Sequence, residues 1–115
     1  MKTLTVEKPW GKFEQFDHNE VTTVKIITVK PHGKLSLQYH AKRAEFWRVL
    51  SGHPIVTEGD KVVIAKPGDE FVMDELEEHR VEAQDEQVQI LEIAYGDFQE
   101  EDIIRLKDVY GRIKK

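Results

Sequence analysis

The sequence predicts an all-β fold, a sandwich or small barrel, and three observations carry that prediction. Apolar residues alternate with polar ones over short stretches, the period of a half-buried strand. Turn-forming residues punctuate these stretches about every 8–12 residues. Helical spacing is confined to residues 100–106, where Ile103, Ile104 and Leu106 share a side, so one short C-terminal helix is expected there.

The elements follow in order. Residues 1–6 read as a loose lead-in, and Pro9-Trp10-Gly11 as a sharp turn, because proline presets φ and glycine frees it. A short strand is expected over 12–16, then a polar turn at 17–20. The stretch 21–30 is rich in β-branched residues and reads as a long strand, ended by Pro31-His32-Gly33. Strands are further expected at 35–40, 45–50, 53–57, 61–65, 70–73, 79–83 and 88–95, nine in all. Ser51-Gly52, Glu58-Gly59-Asp60 and Pro67-Gly68-Asp69 supply turns between them. Strand alternation assigns Leu35, Leu37, Val49, Val63, Val81, Leu91 and Ile93 to the core.

A chain of 115 residues is the size of one domain, expected to span 1–115, and it is long enough to bury one sizeable core. It has no cysteine, which excludes disulfides, thiolate nucleophiles and iron–sulfur ligation. Its net charge of -5 argues against nucleic acid as a partner. Strictly apolar runs such as Val62 to Ala65 are far too short for a transmembrane helix, and no apolar leader stands at the N-terminus, so a cytoplasmic protein with no membrane association is expected. The strand 21–30 is apolar on both faces, Val24 and Ile26 on one, Val21, Ile27 and Val29 on the other. A small barrel has one inner face, and the second apolar face leads us to expect a homodimer.

The chemistry-bearing residues are Gln38-x-His40, Glu45 and His79. Side chains at i and i+2 of a strand share a face, so Gln38 and His40 point the same way. Glu45 opens the next strand across a tight turn, and His79 opens a later one. Two imidazoles, a carboxylate and an amide oxygen suit a divalent cation: zinc, manganese, cobalt, nickel or iron. Trp47 shares the face of Glu45 and should line the interior, whereas Tyr39, Phe46 and Arg48 fall on the outer face. Lys34, Lys42 and Arg43 flank the turn and are placed to pair with a phosphate.

His40-x4-Glu45 followed by Gly52 resembles the first motif of the cupins, and Gly59 through His79, with Pro67-Gly68-Asp69 inside it, resembles the second. The stretch from Lys34 to Gly52 is similar to the core of type II mannose-6-phosphate isomerases, cupins often fused behind a mannose-1-phosphate guanylyltransferase domain. Pro9-Trp10-Gly11 and Gly96 through Arg112 resemble that family's opening and closing signatures, so the likeness runs nearly the length of the chain. It implies a cupin double-stranded β-helix, a jelly-roll barrel, and metal ligands at Gln38, His40, Glu45 and His79. It also implies a sugar-phosphate substrate and conversion of mannose 6-phosphate to fructose 6-phosphate; Arg112, in the family-like terminus, is placed either as a further anion ligand or as a salt-bridge partner that anchors the tail. Ala41 and Lys42 stand where the family carries further histidines, Phe46 replaces a histidine after the glutamate, and Asp74 to Glu78 fill the loop before His79 with acid. Two other classes share these ligand types: a non-catalytic metal-containing cupin that binds a sugar or other small molecule, and an iron-dependent oxygenase.

Overall fold

The structure, a computed structural model, describes residues 3–35, 37–40, 44–74, 77–96 and 103–107, with side chains for all of these except 37–40, 103–105 and 107. All nine expected strands are present, and the described residues add one at each end. In chain order they are β1 (Leu4–Lys8), β2 (Gly11–Gln15), β3 (Thr22–Val29), β4 (Leu37–His40), β5 (Ala44–Ser51), β6 (Ile55–Glu58), β7 (Lys61–Ile64), β8 (Glu70–Met73), β9 (His79–Glu82), β10 (Val88–Tyr95) and β11 (Ile103–Lys107). They form two facing antiparallel sheets, β3-β10-β5-β8 and β11-β4-β9-β6-β7, plus a two-stranded β1-β2 ribbon. Apart from the β6–β7 hairpin, successive strands from β3 to β11 alternate between the two sheets, the winding of a double-stranded β-helix.

Both added strands correct the sequence reading. The lead-in expected at 1–6 holds β1, which pairs with β2 from Leu4↔Gln15 to Lys8↔Gly11 across the Pro9-Trp10 turn. Of the helix expected at 100–106, residues 103–106 are strand, and 100–102 lie outside the described residues. Ile103 and Ile104 are adjacent β-branched residues, and β4 offers a free edge. Pairing with β4 (Ile103↔His40, Ile104↔Tyr39, Arg105↔Gln38) satisfies the backbone of both strands, which a local helical period cannot do.

Between the sheets lies a core of Val29, Trp47, Val49, Val56, Ala65, Met73, Val81, Ala83, Val88 and Ile90. Of the expected core residues, Val49, Val81 and Ile93 are buried, Leu35 packs against the core, and the side chain of Leu37 lies outside those described. Val63 is 41% exposed, because β7 is the edge of its sheet and no strand among the described residues pairs with its outer side. In β10 the inward row is Val88 and Ile90. Leu91 and Ile93 lie on the outer row, in register with Arg48 and Phe46.

That outer row has its own cover. Phe16, just after β2, stacks obliquely on Phe46 with ring centroids 5.2 Å apart. The Tyr95 hydroxyl donates to the Phe16 carbonyl at 2.8 Å. Arg48 bonds Glu14 at 2.8 Å and Glu70 at 2.9 Å, and its guanidinium lies 5.5 Å from the Phe16 ring centre. The N-terminal ribbon therefore buries Phe46 and Ile93. Val24 and Ile26, further along the same face, stay about 60% exposed.

Candidate metal centre

Three ionisable or polar residues are buried among the described residues: Glu45, His79 and Glu92. β5 alternates Glu45, Trp47 and Val49 inward, so Glu45 stands at one end of a row whose other members are core. β9 alternates His79 and Val81 inward from the facing sheet. Both arrive at the same place: His79 Nε2 lies 3.7 Å from Glu45 Oε1, with both side chains almost wholly buried. Trp47 closes the floor, its ring meeting the imidazole edge-on at 5.3 Å between centroids.

The acidic loop before His79 orients its ring. Glu77 folds back on Asp74 through a backbone bond of 3.1 Å and a bond from the Asp74 amide to its carboxylate at 3.2 Å. The Glu77 carbonyl then sits 3.0 Å from His79 Nδ1. A carbonyl can only accept, so Nδ1 carries the proton and Nε2, facing Glu45, presents its lone pair. Metal-ligating histidines are fixed in this way. Two ligands on one ion at bonds of about 2.1 Å stand roughly 3.0–3.4 Å apart, so the pair needs only a few tenths of an ångström of closure. This donor set fits a divalent cation.

The remaining predicted ligands are placed by backbone register. Gln38 on β4 is the direct partner of His79 on β9, and His40, two residues on, shares its strand face. Their side chains lie outside those described, and among the described residues no third His, Cys, Asp or Glu joins Glu45 and His79 to hold an ion. Lys34 stands 3.8 Å from Glu82, on the opposite face of β9 from His79, so the structure does not bring it to the Glu45–His79 pair. Lys42, Arg43 and Arg112 lie outside the described residues.

Sequence reasoning missed Glu92. It follows Val88 and Ile90 on the inward row of β10, a charge on an apolar stripe. Burial and the neighbouring Glu77 carboxylate hold the carboxyl of Glu58, next to His79 in register, above the ordinary carboxylate range. The folded chain thus keeps this proton to higher pH than the unfolded chain. Glu58 therefore lowers stability at neutral pH, and the penalty disappears as pH falls below the ordinary carboxylate range near ~4.3. Glu58→Gln should raise the thermal midpoint at pH 7, by no more than about 1 kcal/mol of stability for a partly exposed pair, and leave it unchanged at pH 4. Calorimetry at the two pH values checks this.

Nine of the eleven described strands form a double-stranded β-helix, the cupin fold, with a buried His–Glu pair at one end. Solved cupins share the fold: a cupin-2 domain from Rhodospirillum rubrum matches with TM-score 0.63 at 19% identity, over 88% of this chain and 77% of that one. Oxalate decarboxylase from Bacillus subtilis matches with TM-score 0.69 at 24% identity, over 76% of this chain and 24% of that one. Within the cupins, the profile described as "Mannose-6-phosphate isomerase C-terminal" matches residues 1–108, and the chain belongs to that family. Relatives include the xanthan biosynthesis protein XanB of Xanthomonas campestris pv. campestris, 38% identical, and the alginate biosynthesis protein AlgA of Pseudomonas aeruginosa, 39% identical. Each match covers 93% of this chain and 23% of the relative. The mannose-1-phosphate guanylyltransferase ManC of Salmonella typhimurium is 34% identical over 94% of this chain and 23% of its own length. The chain thus spans about a quarter of the length of these curated relatives.

Proposed function

We propose that the chain is a metal-dependent aldose–ketose isomerase of sugar phosphates, converting mannose 6-phosphate to fructose 6-phosphate in the cytoplasm. The observation that carries this reading is the buried Glu45–His79 pair in a barrel of the mannose-6-phosphate isomerase family. Glu45 and His79 would hold the ion together with Gln38, the β4 partner of His79, and His40, two residues further along β4. A bound divalent cation would polarise the sugar carbonyl. Lys42, Arg43 and Arg112 are the proposed phosphate ligands, gripping the substrate away from the reacting carbons. A coupled assay with mannose 6-phosphate and other sugar phosphates, with and without chelator, tests this. Turnover that chelator removes is expected; no turnover with any of them would refute it.

A second reading is a metal-containing cupin that binds a sugar without converting it. The acid crowded around His79 favours it, since Glu77 and Glu58 oppose an approaching phosphate, and Lys34 stands beside Glu82. Thermal stabilisation by a neutral sugar, without turnover of any sugar phosphate, would select this reading. Under either reading the exposed Val24 and Ile26 support the homodimer expected from the sequence. Light scattering at micromolar concentration should give twice the 13.4 kDa chain mass.

A further inference from the structure

Aldose–ketose isomerisation needs a group that moves a proton between C2 and C1, and a carboxylate occupied by an ion serves poorly. Of the three buried ionisable or polar residues among those described, Glu45 and His79 face one another as the ligand pair. The third is Glu92. Resting on the isomerase reading, we propose that Glu92 is the acid–base group of the site.

Its position carries the proposal. The β10–β5 register pairs Glu92 with Trp47 and Ala94 with Glu45, so Glu92 lies in the row immediately below the Glu45 carboxylate. Paired residues share a sheet face, and Trp47 is interior, so Glu92 points into the barrel beneath the same sheet. The Trp47 ring beside it touches the His79 imidazole edge-on. Ala94, one row nearer the ligand pair, carries only a methyl group, so β10 places no long side chain of its own between Glu92 and that row. On the other flank β3 places Lys25 opposite Glu92, and a cation alongside offsets the cost of burying the carboxylate. A strand that otherwise turns Val88 and Ile90 inward gains nothing for packing from a glutamate at its next inward position.

The step balances without a further reactant. The C2–H bond breaks, its proton passes to the Glu92 carboxylate, and its electron pair forms the C1=C2 double bond of the enediolate as the C1=O π pair moves onto O1. The O2 proton passes to O1. Glu92 then returns its proton to C1, which takes up the C1=C2 pair while O2 forms the C2 carbonyl, giving the ketose and restoring the carboxylate.

The test uses mannose 6-phosphate deuterated at C2, and follows both ketose formation and loss of deuterium to solvent. In Glu92→Gln, kcat and deuterium loss should both fall at least ~100-fold, the lower end for a lost acid–base group, with KM and metal content held in a folded variant. Glu92→Asp keeps the charge but withdraws the carboxylate by one methylene. It should fold and show a kcat reduced about tenfold, which guards against misfolding of the amide variant. If either folded variant loses deuterium at the wild-type rate, Glu92 does not move the proton while the isomerase reading stands. A metal-loaded wild type that shows neither turnover nor deuterium loss overturns both, and the silence of the wild type itself tells that outcome apart.

Discussion

Replacing His79 by alanine should abolish the proposed metal binding. His79 is a proposed ligand whose ring is oriented by the Glu77 carbonyl at Nδ1 and by the Trp47 ring packed against it, with Nε2 turned toward Glu45. Removing the imidazole takes away a nitrogen donor that nothing nearby replaces among the described residues. His40→Ala should do the same, while Gln38→Ala, losing a neutral amide, should only weaken binding. Metal content after dialysis, together with a metal titration, reads the result for wild type and the three variants. Affinity in the wild type should also fall as pH drops through the usual imidazole range near ~6.5, because a protonated ring cannot ligate. Stoichiometric metal with unchanged affinity in both histidine variants would place the ion elsewhere. Metal lost from both, in a protein that never turned over a sugar phosphate, would keep the cage and select the binding-protein reading.

Strand periodicity and turn chemistry made most of the fold legible. Glu70 to Met73 and Val88 to Tyr95 are strands with the boundaries their alternation predicts. What escaped has a common physical cause, partners distant in sequence. β11 is a strand because β4 has an edge to fill, and β1 because β2 folds back on it across two residues. Neither is visible in a local period. The inward row of β10 was ambiguous for a related reason. Ile90 and Ile93 are both buried, one in the core and one beneath the N-terminal ribbon, so hydrophobicity alone cannot say which face is inner. Choosing the outer row hid Glu92. At the site, strand alternation and the motif spacing brought out Glu45 and His79, and the structure sets them 3.7 Å apart. The loop from Asp74 to Glu78 read only as an excess of acid. Its contact with His79 runs through a backbone carbonyl, which side-chain identities do not reveal.

Gly52→Ala should cost the fold more than its single methyl suggests, and Gly68→Ala separates the causes. Both glycines sit in the left-handed region, at φ +85° and +94°, so either alanine meets backbone strain of about 1–3 kcal/mol. At Gly68 a new Cβ finds nothing within 4 Å, and strain is the whole effect. At Gly52 it would lie 2.7 Å from the Gln87 carbonyl oxygen, 2.9 Å from Val88 Cγ2 and 3.1 Å from Val88 Cα. Two of those atoms are backbone leading into β10, and Val88 is wholly buried, so the clash cannot be relieved by turning an exposed side chain. It must push β5 from β10 beside the register shift at Gln89 and Ile90, the junction that aligns Trp47 with Glu92. Overpacking of this kind adds about 1–3 kcal/mol. Together the terms predict a midpoint lowered by roughly 10–20 °C for Gly52→Ala, and by about half that or less for Gly68→Ala. Scanning calorimetry on the two variants reads the difference directly. Equal midpoints would mean that the Gln87–Val88 backbone yields freely, and that the close approach of β5 to β10 at Gly52 does not hold the two strands in register.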